Sequence, residues 1–197
     1  AYGPDFMVED LNNVAKALGS DAPILVGASM GGGVSLMAIG MDKVTAKALV
    51  LVDMAPKIEA AGSRRIQEFM NQAPDGFDTL EEVAAAIANY QPHRPRPRNL
   101  DGLAKNVRLA PHGKYKWHWD PNRRKSQGAA NPAYRQRLHD CADKLTLPTL
   151  LVRGGLSDVL SEEGAQSFLA QCPHAEYVAV ENAAHMVAGD RNDIFAG

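Results

Sequence analysis

With 197 residues and a formal charge of -2, the chain has the length of one domain carrying an insertion, and it lacks the positive excess that nucleic acid or an anionic membrane would require. Its two cysteines, Cys141 and Cys172, form no CxxC and have no histidine at zinc-ligand spacing, so they read as reduced, buried thiols. No apolar run reaches the ~18 residues of a membrane span and no signal-like segment opens the chain, so a small-molecule partner and a cytoplasmic location are expected.

In chain order, the apolar positions Phe6, Val8, Leu11, Val14, Ala15 and Leu18 recur at intervals near three and four, which predicts an amphipathic helix from Pro4 to Leu18, stopped by Gly19. Pro23-Ile24-Leu25-Val26-Gly27 is a short apolar, β-branched run, and the small-residue segment Met30 to Met41 follows as a helix. Ala48-Leu49-Val50-Leu51-Val52 lacks alternation and ends at Asp53, as in a parallel strand covered on both faces. Pro148-Thr149-Leu150-Leu151-Val152 and Glu176-Tyr177-Val178-Ala179-Val180 repeat the pattern. Between them Ser161 to Cys172 reads as a helix capped by Ser161, with Glu162 and Glu163 at the positive end of its dipole.

The pattern changes from about Ala55 to about Asp143. Helical pieces predominate there, marked by the capping box Thr79-Leu80-Glu81-Glu82 and by Asn131-Pro132 as cap and first-turn proline. The basic stretch His93-Arg94-Pro95-Arg96-Pro97-Arg98 cannot continue a helix and reads as a solvated connector. A core of residues 1–54 and 144–197 with a helical insertion at 55–143 is the simplest account.

Gly27-Ala28-Ser29-Met30-Gly31 matches G-x-S-x-G directly after a strand and before a helix, where that motif has a mechanical meaning. The turn that throws Ser29 outward brings backbone close to its neighbours, so small residues are expected two positions to either side. A serine hydroxyl needs a positioned base, and of the six histidines His185 is the best placed, a few residues past the last strand among the small residues Ala183 and Ala184. His93, His112, His118, His139 and His174 read as surface or insertion residues. The base in turn needs an acid to orient it, and Asp158, beyond Arg153-Gly154-Gly155-Leu156-Ser157, is favoured over Asp53, which also ends a strand.

Ile24 to Gly32, Leu49 to Asp53, Arg153 to Asp158 and Ala184-His185 together resemble the cofactor-free, esterase-like serine hydrolases of the α/β-hydrolase fold. The chain order Ser29, Asp158, His185 is that family's order. The resemblance implies an α/β fold: the C-terminal part of an α/β-hydrolase sheet of parallel strands and flanking helices, with a helical cap inserted at 55–143. It implies hydrolysis of an ester or similar acyl bond through an acyl-enzyme, Met30 N–H as an oxyanion donor, and neither metal nor organic cofactor. In some relatives the orienting acid follows the earlier strand, which keeps Asp53 as the alternative. Tyr115 to Pro121 resembles a cap segment of such enzymes, with Trp117 and Trp119 read as packing anchors.

The family's earlier strands and its second oxyanion segment have no counterpart here, and its closing helix would run beyond Gly197, so the chain is expected to be truncated at both ends. The strand at Ile24 is then expected to be a sheet edge with unpaired N–H and C=O groups, open to self-association. A weakly active or inactive remnant that binds a ligand or a second copy is the competing expectation.

Overall fold

A computed structural model describes residues 3–94, 100–120 and 131–195. Residues 95–98 of the expected basic connector, and Pro121, lie outside the described residues. The described chain forms two compact units, one of residues 1–63 with 126–197, the other of 64–125.

In the first unit, α1 (Pro4–Ala17) leads to β1 (Ile24–Ala28), α2 (Met30–Gly40) and β2 (Ala48–Val52). After the second unit the chain returns as α5 (Pro132–Ala142), β5 (Thr149–Gly154), α6 (Glu162–Gln171), β6 (Glu176–Val180), α7 (Val187–Asp190) and α8 (Asn192–Phe195). The four strands pair in parallel in the order β1-β2-β5-β6, with Ala28 opposite Val52, Val52 opposite Val152 and Val152 opposite Val178. All four therefore end along one edge of the sheet, the edge at which open parallel sheets place their ligand sites.

One face of the sheet presents Leu25, Leu49, Leu51 and Leu151 to a core with Leu36, Met37 and Phe168. The other face buries Val52, Val152 and Val180 with Ala183 and Val187, and Phe195 packs against them. That cover reaches only part of the sheet. On β1, Ile24 and Val26 remain 61% and 62% exposed, and β1 stands at the edge of the order found among the described residues.

Helix α2 carries Gly31, Gly32, Gly33 and Gly40, each worth about 1 kcal/mol against helix relative to alanine. Close packing overrides that weak propensity: a Cβ on Gly40 would run into the backbone and side chain of Cys141, and one on Gly32 would meet Gly27 O at 2.8 Å. The contact with Cys141 also explains why α5 belongs to the first unit. Its Leu138, Cys141 and Ala142 are buried in the main core, so the contact boundaries fall at 64 and 125 rather than at the expected 55 and 143. Arg137 on α5 pairs with Asp5 at the start of α1 (2.5 Å), and Asn131 caps α5 by accepting from Ala133 N (2.9 Å).

Helix α3 (Ala60–Asn71) begins in the first unit and ends in the second. The second unit continues with α4 (Leu80–Tyr90), a 3-10 turn over Asp101–Lys105, and two short strands, β3 (Val107–Leu109) and β4 (Tyr115–Trp117). Thr79 caps α4 by accepting from Glu82 N (3.2 Å), but Glu82 reaches back to Asp78 N (2.8 Å) instead of to the cap residue's own N–H. The antiparallel pair β3–β4 departs from the expectation of helical pieces joined by an extended connector. Phe77, Val83, Ala86 and Val107 form this unit's small core. Trp117 stacks on Trp119 at 4.7 Å between centroids and meets Phe77 edge-on, in agreement with a packing role for both tryptophans.

Candidate active site

At the end of β1, Ser29 N–H donates to Val52 O (3.0 Å), prolonging the ladder by one bond before the backbone turns to φ 50° and α2 begins at Met30. This left-handed φ is unfavourable for a residue with a Cβ and is the turn expected of a nucleophile elbow. It requires close backbone approach: a Cβ on Gly27 would lie 2.5 Å from Gly32 N and 2.6 Å from Gly31 C and O. The expected second small residue is different. Gly31 lends backbone atoms to that approach but has nothing within 4 Å of its own would-be Cβ, whereas a Cβ on Gly32 would lie 2.8 Å from Gly27 O.

Asp53 repeats the geometry on the neighbouring strand. Its N–H donates to Val152 O (2.7 Å) and its φ is 51°. Its side chain is wholly buried, a position that a carboxylate tolerates only with hydrogen-bond partners. Three are present: Gly154 N–H donates to Oδ1 (2.9 Å), while Ser157 Oγ (2.5 Å) and His185 Nδ1 (2.7 Å) both meet Oδ2.

His185 Nε2 stands 2.9 Å from Ser29 Oγ. With a carboxylate accepting from Nδ1–H, Nε2 is left with its lone pair toward the serine hydroxyl. The loop that carries His185 is tied down at several points. Leu156 N–H donates to Ala183 O (2.8 Å), Gly155 N–H to Val180 O (2.9 Å), and Ala184 N–H to Asp190 Oδ2 (2.8 Å). A Cβ on Gly154 would collide with the carbonyl of Ala184, so the glycine of β5 permits the loop's approach.

The structure thus joins Ser29, His185 and Asp53 in one hydrogen-bonded array. It does not join Asp158 to it in the expected way: Asp53, the alternative, meets His185 Nδ1. Asp53 Oδ2 is turned toward His185 Nδ1 by its own left-handed φ and by the grip of Gly154 N–H and Ser157 Oγ on its carboxylate, whereas Asp158 lies in the loop beyond β5. That loop packs closely on α3, where a Cβ on Gly62 would overlap the Asp158 carbonyl. Met30, the expected oxyanion donor, is the first residue of α2, at the positive end of its dipole. Sequence reasoning missed Gly154 and Ser157 as partners of Asp53. The signal for Ser157 was a hydroxyl in the loop directly after a buried strand.

The other histidines lie elsewhere: His118 Nδ1 contacts Lys105 O (2.8 Å), His139 lies on α5, and His93, His112 and His174 are exposed. Both cysteines are buried and free. Burial raises both thiols, Cys172 to about 11. Among the described residues no group of three or more His, Cys, Asp or Glu is placed to hold a metal ion, and no helix is long and apolar enough to cross a membrane.

The sequence profile of the Alpha/beta hydrolase family matches residues 1–197. The chain is 27% identical over 189 residues to a 3-hydroxybutyrate-oligomer hydrolase of Cupriavidus necator, covering 90% of this chain and 64% of that protein. It is likewise 27% identical over 200 residues to an esterase of Mycobacterium tuberculosis, covering 96% of this chain and 63% of the relative. The chain therefore spans just under two thirds of the length of both curated relatives. Among solved structures, E-2-(acetamidomethylene)succinate hydrolase superposes with a TM-score of 0.78 at 22% identity, over 99% of this chain and 71% of that one. A Mycobacterium tuberculosis esterase superposes with a TM-score of 0.75 at 25% identity, over 99% and 65%.

Proposed function

This chain belongs to the alpha/beta hydrolase family, and on that premise we propose that it is a serine hydrolase cleaving an ester or similar acyl bond of a small molecule through an acyl-enzyme. The observation that carries the reading is the unbroken hydrogen-bond chain from Ser29 Oγ through His185 to Asp53. As Ser29 Oγ attacks the carbonyl carbon, His185 Nε2 takes the hydroxyl proton, and the buried Asp53 carboxylate holds the imidazolium that forms. The carbonyl oxygen gathers negative charge beside the start of α2, where Met30 N–H is the assigned donor.

Collapse of the tetrahedral intermediate breaks the acyl–oxygen bond, and His185 returns the proton to the leaving alcohol. Water then repeats the sequence on the acyl-enzyme, with His185 again as base, releasing the acid and restoring Ser29. The activities of the relatives, hydrolysis of 3-hydroxybutyrate oligomers and of esters, agree with this class. Chemistry that uses a carboxylate nucleophile, as for epoxides or haloalkanes, is disfavoured by a serine at the elbow.

The test is exposure of the purified chain to a fluorophosphonate probe, with the adduct mapped by mass spectrometry. Labelling at Ser29 that is lost in His185→Ala is the expected result. An intact fold that never labels would defeat the proposal. A second reading, a module that self-associates through β1, is favoured by the exposure of Ile24 and Val26 on an edge strand. Sedimentation across a hundredfold concentration range tests it, and an unchanged sedimentation coefficient would end it.

A further inference from the structure

We propose that Ser157 is a positioning residue for the Ser29–His185–Asp53 array, fixing the Asp53 carboxylate so that Oδ2 stays in line with His185 Nδ1. The inference rests on the serine-hydrolase reading above and assigns a role to a side chain outside the triad. Ser157 Oγ lies 2.5 Å from Asp53 Oδ2, the same oxygen that meets His185 Nδ1. The same Oγ receives two backbone donors, Val159 N–H at 3.1 Å and Leu160 N–H at 3.2 Å.

Those two bonds decide the direction of the third. A serine hydroxyl has one hydrogen and two acceptor lone pairs. With both lone pairs engaged by backbone N–H groups, the hydrogen is left to point at the carboxylate, and the rotor cannot turn to another orientation without giving up a bond. Val159 and Leu160 are both buried, so water cannot readily replace Oγ as their acceptor. Ser157 N–H, donating to Gly154 O at 2.9 Å, anchors the same turn to the end of β5.

Seen from Asp53, the carboxylate is gripped at both oxygens by the end of β5 and the loop that follows it, at Oδ1 by Gly154 N–H and at Oδ2 by the Ser157 hydroxyl. Rotation about the carboxylate's own axis would break both grips. His185 therefore meets an acceptor whose plane is set in advance, and the third position around Oδ2 is reserved for the imidazole. Without the Ser157 hydroxyl, Gly154 N–H alone would oppose that rotation.

The experiment measures the saturating rate of fluorophosphonate labelling at Ser29 for wild type and for Ser157→Ala, Ser157→Thr and Ser157→Cys, with folding followed by circular dichroism. Losing one hydrogen bond to a charged group predicts a roughly 10-fold slower maximal rate in Ser157→Ala, with the half-saturating probe concentration unchanged. Ser157→Thr, which keeps the hydroxyl, should label near the wild-type rate. Ser157→Cys, a weaker donor of similar shape, should fall between, and it carries the test if Ser157→Ala does not fold.

A double-mutant cycle separates positioning from mere structure. In an Asp53→Ala background the carboxylate is gone, so adding Ser157→Ala should slow labelling no further. Independent, multiplying losses would overturn the proposal, as would wild-type rates in folded Ser157→Ala or Ser157→Cys. Failure of the parent reading is separately visible: wild type itself would not label, and the role of Ser157 would fall with it.

Discussion

Replacing Asp53 by asparagine should nearly abolish activity, while the same change at Asp158 should leave it within about threefold. Asp53 receives three donors, Gly154 N–H on Oδ1 and Ser157 Oγ and His185 Nδ1 on Oδ2. An amide has one acceptor oxygen and one NH2 group, so either orientation sets donor against donor. With NH2 at the Oδ1 position it faces Gly154 N–H. At the Oδ2 position it faces Ser157 Oγ and Nδ1, and His185 can accept there only by moving its hydrogen to Nε2, which disables it as the base for Ser29.

The lost charge adds to this. An imidazolium and a carboxylate with centres about 4 Å apart at an effective dielectric of 20 attract by about 4 kcal/mol, roughly a thousandfold in rate. Together with the wrong tautomer the loss in kcat should reach about 1,000- to 10,000-fold. The assay is p-nitrophenyl butyrate hydrolysis, paired with thermal denaturation to establish that each variant is folded. Folded Asp53→Asn retaining a tenth of wild-type turnover, or Asp158→Asn losing as much as Asp53→Asn, would exclude Asp53 as the residue that orients His185.

Gly27→Ala should destroy the elbow, because its Cβ meets backbone atoms of Gly31 and Gly32 that cannot step aside, whereas Gly31→Ala should keep the fold and gain about 0.5–1 kcal/mol of helix stability, as read by urea denaturation. Gly62→Ala should lower the unfolding free energy by about 2 kcal/mol or more despite alanine's better helix propensity, since the Asp158 carbonyl occupies the space of the new methyl; an unchanged urea midpoint would contradict this packing. Cys141 and Cys172 should resist a thiol reagent at pH 8 in the folded chain and both react in 6 M guanidinium. Burial raises Cys172 from 9.0 to about 11, so its contribution to stability is whole below pH 9 and is lost as pH climbs from 9 through 11; Cys172→Ala should flatten that alkaline decline in denaturation curves.

The parallel strands were legible because runs such as Ala48 to Val52 and Thr149 to Val152 are apolar without alternation, a pattern that buried parallel strands produce. Ser29 and His185 were legible because each follows such a run in a loop with small neighbours. The choice between Asp53 and Asp158 was not, because both follow strands and only the way the loops beyond those strands fold toward His185 distinguishes them. That arrangement arises from long-range packing, which no local window contains.

The strands β3 and β4 failed for a different reason. Val107-Arg108-Leu109 and Tyr115-Lys116-Trp117 do alternate, but three residues are too few to separate a period of two from chance. Helix α5 was recognised from Asn131-Pro132 yet assigned to the insertion, because the cavity on α2 that admits Cys141 is made by Gly40, a residue remote in sequence. Ser157 escaped notice since its role depends on backbone N–H groups two and three residues ahead, invisible until the turn is folded.

Ser29 and Asp53 follow the two strands of a single continuous βαβ stretch, β1-α2-β2, and the whole of 64–125 enters the chain only after both have been laid down. On the proposed reading, nucleophile and acid are thus inherited as one cassette. A crossover, duplication or transplant anywhere in 64–125 passes on both or disturbs neither, and only the partnership with His185 must be re-established from the far side. Recombination can accordingly try new insertions in this chain while the spacing between its two sheet-borne polar groups is transmitted unchanged, a freedom that an acid beyond β5 would have forfeited.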